Sequence, residues 1–264
     1  MSVLKNDRVI APYEYERTFG LLYQFSMKNT SKASKRRKRW ICDEIDGRMN
    51  ALFNTITGLS TNYFEPSNRK ASIAEIIKEA IEGLCQLQKP LLAFWNISES
   101  KISTMEQWVK YINKDLKLLN NMLEEKVDYD PLFIIDYDSV SKAEYVKKMA
   151  ELHKYVHGKI VHAPLKYQNT GSNLIISLID DALYNVMSAN VRIPKTAEQY
   201  KKRRKKISKA ISDLNKLQRP LSVYFVMLEY SEKEIAKLSS LIREELKLLY
   251  GINRSDKDRF SNLK

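Results

Sequence analysis

The sequence repeats itself, and that restricts the fold to one that two copies of a short unit can build. At a shift of 130 residues, Ile81, Leu84, Leu87, Gln88, Lys89, Pro90 and Leu91 lie on Ile211, Leu214, Leu217, Gln218, Arg219, Pro220 and Leu221. The same ungapped shift carries Ile112, Leu116, Lys117, Leu118 and Leu119 onto Ile242, Leu246, Lys247, Leu248 and Leu249. Between Ile77–Leu119 and Ile207–Leu249, 14 of 43 positions are identical. Upstream, Asn50–Asn54 faces Asp181–Asn185 at a shift of 131, and Glu14 and Tyr15 face Glu144 and Tyr145 at 130. A duplicated unit of about 110 residues follows, from Tyr13 to Leu123 and from Ala143 to Tyr250, each the size of a small domain. Two unrelated helical stretches sharing only leucine spacing would not preserve the Gln-basic-Pro-Leu stretch.

Within each unit the apolar residues keep a helical period. Ile73, Ile76, Ile77, Ala80, Ile81, Leu84, Leu87 and Leu91 recur at steps of about three and four, as do Met105, Trp108, Ile112, Leu116 and Leu119. Ile207, Ala210, Ile211, Leu214, Leu217 and Leu221, then Ile235, Leu238, Ile242, Leu246 and Leu249, repeat the two stripes. Ser72 with Glu75, Ser103 with Glu106 and Ser231 with Glu234 read as capping boxes, and Thr196 with Gln199 as a weaker one. Two further helices precede these in each unit: Tyr13–Met27 and Trp40–Leu59, then Ala143–Val161 and Ser172–Ala189. The expected fold is all-α, two tandem antiparallel four-helix bundles. The expected bounds are a first bundle over 1–125, an acidic and apolar linker over 126–140, a second bundle over 141–252 and a polar tail over 253–264. Pro90 and Pro220 each remove one helix hydrogen bond, so matching bends or early stops are expected at both. The linker's patch Leu132, Phe133, Ile134 and Ile135 either packs between bundles or pairs as a short strand.

Only 7 Gly and 7 Pro occur in 264 residues, too few turn residues for a large β structure, and 44% of the chain is hydrophobic, enough for a core. Cys42 and Cys85 are too few for a disulfide framework and fit a reducing compartment. No apolar run reaches the roughly 20 residues of a membrane span, and the first 17 residues lack a secretory apolar region. The expectation is a soluble cytoplasmic protein.

The formal net charge is +13, which points to a polyanionic partner. The excess is concentrated in two runs, Lys35, Arg36, Arg37, Lys38 and Arg39, and Lys201, Lys202, Arg203, Arg204, Lys205 and Lys206. Such runs supply phosphate contacts without sequence specificity, and near a helix N-terminus they oppose the macrodipole in a way that an anionic ligand relieves. A solvated helix face is the plainer account of the same residues. Trp40 and Tyr200, beside the runs, are candidates for stacking on unpaired bases, although aromatics at helical spacing are more often core.

Catalytic signatures are weak. His153 and His157 stand at i and i+4, with His162 beyond, but no Glu follows His153 in the zincin pattern and the counterparts Tyr23 and Met27 are not ligands. A surface or partly buried helix is expected there, with no metal. Asp180 and Asp181, and Asp43, Glu44 and Asp46, are acids of the type that holds Mg²⁺, but neighbouring acids on a helix diverge, and a salt-bridged surface is expected. No phosphate-binding Gly loop, G-x-S-x-G or Cys-x-x-Cys is present. No cofactor is expected.

With its early Tyr-Glu helix, the Leu-x-x-Leu-Gln-basic-Pro-Leu stretch and a last helix ending Asp- or Glu-Leu-Lys-Leu-Leu, each unit resembles the accessory variability determinant proteins of diversity-generating retroelements. These group with the four-helix-bundle proteins encoded in ribosomal RNA intervening sequences. The resemblance spans nearly the whole chain as two copies, and its motifs are packing patterns. It implies a basic, self-associating bundle without chemistry of its own, partnering a reverse transcriptase and template RNA, or an RNA-DNA hybrid, during mutagenic complementary-DNA synthesis. Members of that family are usually single bundles assembled as pentamers, and fused pairs cannot tile an odd ring, so an even, pseudo-symmetric or smaller assembly is implied. The expected function is therefore a non-enzymatic nucleic-acid-binding accessory protein. The rival from another class is a structural adaptor for an acidic protein partner, and a metal-dependent nuclease or deaminase lacks ligands.

Overall fold

The computed structural model describes residues 13–33, 41–62, 70–98, 100–133, 143–164, 171–191 and 193–263. Among these residues every regular element is helical: α1 Glu14–Thr30, α2 Asp43–Asn62, α3 Lys70–Gln86, α4 Gln88–Ser98, α5 Ile102–Met122, α6 Glu144–His162, α7 Ser172–Asn190, α8 Ala197–Met227 and α9 Glu232–Arg259, with a 3-10 turn at Ser261–Leu263. The all-α class is as the periodicity requires. No helix of the described residues is long and apolar enough to cross a membrane.

The chain divides into two compact units. Unit 1 holds Met1–Leu91 with Ser103–Leu132, and unit 2 holds Leu92–Ile102 with Phe133–Lys264. In unit 1, α1 lies on α2 and α2 on α3. The approach of α2 to α3 is close enough that a Cβ at Gly83 would stand 2.8 Å from Leu52 Cδ2. Trp108 of α5 is fully buried; its Nε1–H donates to Ser26 Oγ of α1 at 2.9 Å, and Phe25 meets its ring edge-on. In unit 2, α6 lies against α7 and α9, α7 against α8, and α8 against α9, a closed circuit of four. Val146, Met149, Leu152, Ile175, Ile179, Ile207, Leu214 and Leu249 are buried inside it, each worth roughly 1.5–3 kcal/mol over an exposed side chain.

Several expected boundaries move. The segment Leu92–Ile102 belongs by contact to unit 2, although it lies within the first sequence repeat. The expected linker begins as a cap: Lys126 Nζ donates to the carbonyls of Asn120, Asn121 and Leu123, closing the end of α5. Its backbone then crosses α5 irregularly, with Leu132 N and O bound by the Asn113 side chain at 2.8 and 2.9 Å. Ile134 and Ile135 lie outside the described residues. The expected polar tail is mostly helix, since α9 runs to Arg259 and Phe260 is buried with its ring 5.7 Å from Tyr200.

Two of the four expected caps form as read. Ser231 and Glu234 exchange bonds at the start of α9, and Thr196 Oγ1 accepts from Gln199 N at the start of α8. The other two sit inside first turns, because α3 is already helical at Lys70 and α5 at Ile102. The two prolines are accommodated differently. α3 and α4 part at Leu87, three residues before Pro90, bridged by Leu87 N to Gly83 O and Leu91 N to Leu87 O, both 3.2 Å. Pro220 sits inside an unbroken α8 of 31 residues.

Candidate nucleic-acid interface and a buried histidine cluster

The run Lys201–Lys206 occupies the second and third turns of α8, and the helix sorts it by angle. Lys201, Lys202 and Lys205 are exposed, with Lys202 paired to Glu198 at 3.2 Å. Arg203 turns inward: its Nε meets Asp256 Oδ2 of α9 at 2.6 Å and its Nη1 donates to Ala189 O of α7. Lys206 donates to Ser188 Oγ. Arg204 is half-buried, its guanidinium 5.7 Å from the Tyr200 ring centre. Arg203 and Lys206 thus tie α8 to its neighbours, and the cationic surface of the run is carried mainly by Lys201, Lys202 and Lys205.

The exposed lysines continue beyond the contiguous run. Lys209, Lys216 and Arg219 are also exposed, and at about 100° per residue Lys201, Lys205, Lys209, Lys216 and Arg219 fall within an arc of roughly 80°. Ser208, Ser212 and Asn215 fill the same strip and line a shallow hollow with Lys216 and Arg219. The strip is about 27 Å long at 1.5 Å per residue. Its far half, Lys209, Lys216 and Arg219, is spaced by seven and then three residues, a helical period that contiguous charge does not reveal.

Tyr200 is 5% exposed and packed on Phe260, so its ring is not a stacking platform. The first basic run, Lys35, Arg36, Arg37, Lys38 and Arg39, and Trp40 lie outside the described residues.

His162 is exposed, but the other two histidines are not on a surface. His153 and His157 of α6 and Asp180 of α7 are all buried, with their ligand atoms within 4.8 Å of one another. Asp180 Oδ1 receives His153 Nε2 at 2.9 Å and His157 Nε2 at 2.7 Å. Burial works to raise the Asp180 carboxyl, but the two imidazoles hold it below the usual carboxylate range, so it is ionised and can only accept. Asn96 fixes the other side of the network. Its Nδ2 donates to Ala150 O at 3.2 Å, a group that only accepts, so the same NH₂ donates to His153 Nδ1 at 3.0 Å. His153 therefore carries its proton on Nε2, aimed at Asp180. Burial, then the neighbouring His157, push His153 down to about 4, in keeping with a neutral ring. His157 Nδ1 is buried without a hydrogen-bond partner. A cation would have to displace the two Nε2 protons that now bind the carboxylate; the donor set suits a proton-holding lock between α6 and α7 better than a metal.

The other acids fall as structural groups. Glu44 pairs with Arg48 at 2.9 Å, and Asp46 accepts from Thr30 Oγ1 at 3.3 Å. Asp180, expected on a salt-bridged surface, is instead the centre of the histidine network.

Comparison with protein-family models, curated proteins and solved structures finds no match to this chain.

Proposed function

We propose that the chain is a non-enzymatic nucleic-acid-binding protein whose α8 strip tracks a phosphate backbone. The observation that supports this reading is the alignment of Lys201, Lys205, Lys209, Lys216 and Arg219 along one exposed helix face, in a chain of net charge +13. Cations at one- and two-turn intervals, interleaved with Ser and Asn, fit sugar-phosphate contacts that position a duplex or a folded strand without reading its bases. The run Lys35–Arg39 adds a second source of positive charge in the sequence. The resemblance to accessory variability determinant proteins extends the proposal to a partner: a reverse transcriptase and its template RNA, or an RNA-DNA hybrid, in mutagenic complementary-DNA synthesis.

Fluorescence anisotropy with a labelled RNA hairpin, titrated at rising salt, tests the first half. Affinity is expected to fall steeply between about 50 and 200 mM salt; absent binding at low salt, or binding indifferent to salt, overturns it. Co-purification with a reverse transcriptase encoded beside it tests the second half, and a clean failure refutes the accessory role. An acidic protein on the same strip would give material free of nucleic-acid absorbance at 260 nm.

A further inference from the structure

A groove that both repeats share is filled in the first and, among the described residues, open in the second. In unit 1 it runs between the end of α3 and α5, and residues 127–132 cross it. On one side Asn113 of α5 binds Leu132 N and O at 2.8 and 2.9 Å. On the other, Tyr129 and Asp130 stand beside Cys85 of α3, where burial and then the Asp130 charge push the thiol up to about 11. Gln88, Val109 and Leu116 are buried there, at 2, 0 and 0% exposure. Val127 and Tyr129 are half-buried while Asp128 and Asp130 are exposed, so the crossing segment turns apolar groups inward and acids outward.

In unit 2 the corresponding groove lies between α8 and α9, a hollow of about 490 Å³ lined by the buried Leu221, Phe225, Leu238 and Ile242. At the shift of 130, Gln88, Val109 and Leu116 become Gln218 and Ser239, both exposed, and the half-buried Leu246. The second repeat does not fold its following segment back over the hollow, because α9 stays helical through 256–259, the counterparts of 126–129. The rim has changed charge as well. Asn113 becomes Arg243, which is exposed and lines the hollow together with the exposed Arg219. An amide suits a peptide backbone because it both donates and accepts. A guanidinium only donates, and a carboxylate answers it with two parallel bonds.

We propose that the groove between α8 and α9 binds an acidic peptide of a partner protein, laid across it as residues 127–132 lie across α5, with apolar side chains on Leu238 and Ile242 and a carboxylate on Arg243. The hollow shares Arg219 with the cationic strip but none of its exposed lysines Lys201, Lys205 and Lys209, so peptide binding stands whether or not the strip holds nucleic acid.

Fluorescence polarisation on the full chain tests this, the probe being a fluorescein-labelled synthetic peptide of residues 126–133. Saturable binding with a Kd below about 100 μM is expected. The same peptide carrying Asp128→Asn and Asp130→Asn should bind at least about tenfold more weakly. So should the wild-type peptide on Arg243→Glu, which reverses the rim charge, and on Ser239→Trp, which blocks the hollow; both side chains are exposed, and either variant suffices if the other misfolds. No saturable binding up to about 1 mM, equal affinity for the two peptides, or variants that bind like wild type would overturn the proposal. So would an RNA hairpin that displaces the peptide from wild type and is itself lost on Ser239→Trp, since the groove would then hold nucleic acid.

Discussion

Asp115 and Glu245 are the same position of the two repeats, one shift of 130 apart, and both are 0% exposed with neither carboxylate oxygen hydrogen-bonded. Burial lifts each carboxyl to about 8, opposed by Lys114 for Asp115 and Lys148 for Glu245. In the unfolded chain both titrate near 4. The folded state therefore holds protons that the unfolded state releases, and this contribution to stability, complete below about pH 4, is lost as pH rises through 8. His153 has the opposite sign: its value falls from 6.5 to about 4, so its contribution is complete above about pH 6.5 and is lost as pH falls toward 4. Between about pH 6.5 and 8 the carboxyls act unopposed by that histidine, each worth about 1.4 kcal/mol per pH unit. The melting temperature is expected to decline across that window, and the double variant Asp115→Asn, Glu245→Gln to melt higher at pH 8 on a flatter profile. Scanning calorimetry from pH 6 to 9 decides it; parallel profiles for wild type and variant would refute the assignment. Asp180→Asn replaces the charge-assisted hydrogen bonds of two buried imidazoles with neutral ones, and a loss of about 1–3 kcal/mol in urea unfolding is expected. An unchanged midpoint would remove the histidine lock as a source of stability.

At the scale of elements, what was legible follows from how local the determining interaction is. The Ser231 and Glu234 box and the apolar stripes of α8 and α9 involve residues within one or two turns, and they stand where the spacing puts them. The inward turn of Arg203 depends on Asp256, 53 residues away, and nothing in a run of six cations distinguishes it from its neighbours. The burial of His153 depends on Asn96 and Asp180 from two other helices, which is why helical spacing alone gives no more than a surface or partly buried helix there. The helical tail escaped for the same reason, being anchored by Phe260 on Tyr200. The prolines carry a prediction of their own. Pro220 lies deep inside α8, where its missing N–H and its ring cost up to about 3 kcal/mol, whereas Pro90 is the third residue of α4, where an amide has no helical acceptor anyway. Pro220→Ala is expected to raise the unfolding free energy by about 1–3 kcal/mol and Pro90→Ala by clearly less. Equal effects in denaturant titrations would mean that the break at Leu87 is not what relieves the first proline.

For the whole molecule, the question is how much of the net charge of +13 is available to a polyanion and how much is spent on the fold. Within Lys201–Lys206 the structure separates the two uses: Arg203 is bound to Asp256 and Ala189, while Lys201 and Lys205 face outward with Lys209 on the same strip. If the strip grips phosphates, each neutralised contact contributes about 0.9 to the salt slope on a duplex, or about 0.7 on a single strand. The triple variant Lys201→Gln, Lys205→Gln, Lys209→Gln is therefore expected to reduce that slope by about 2–3 while leaving the melting temperature within a degree or two, since exposed lysines contribute little to stability. Arg203→Ala should do the reverse. It strands Asp256, 3% exposed on its side chain, at a cost of about 3–5 kcal/mol, yet removes no charge from the strip. Salt slope and melting temperature measured on both variants therefore cross: one loses affinity and keeps its fold, the other loses stability and, where still folded, keeps its slope. Two variants that lose slope equally would show that the cationic surface extends inward past the strip, and a triple variant with the wild-type slope would place the nucleic acid elsewhere.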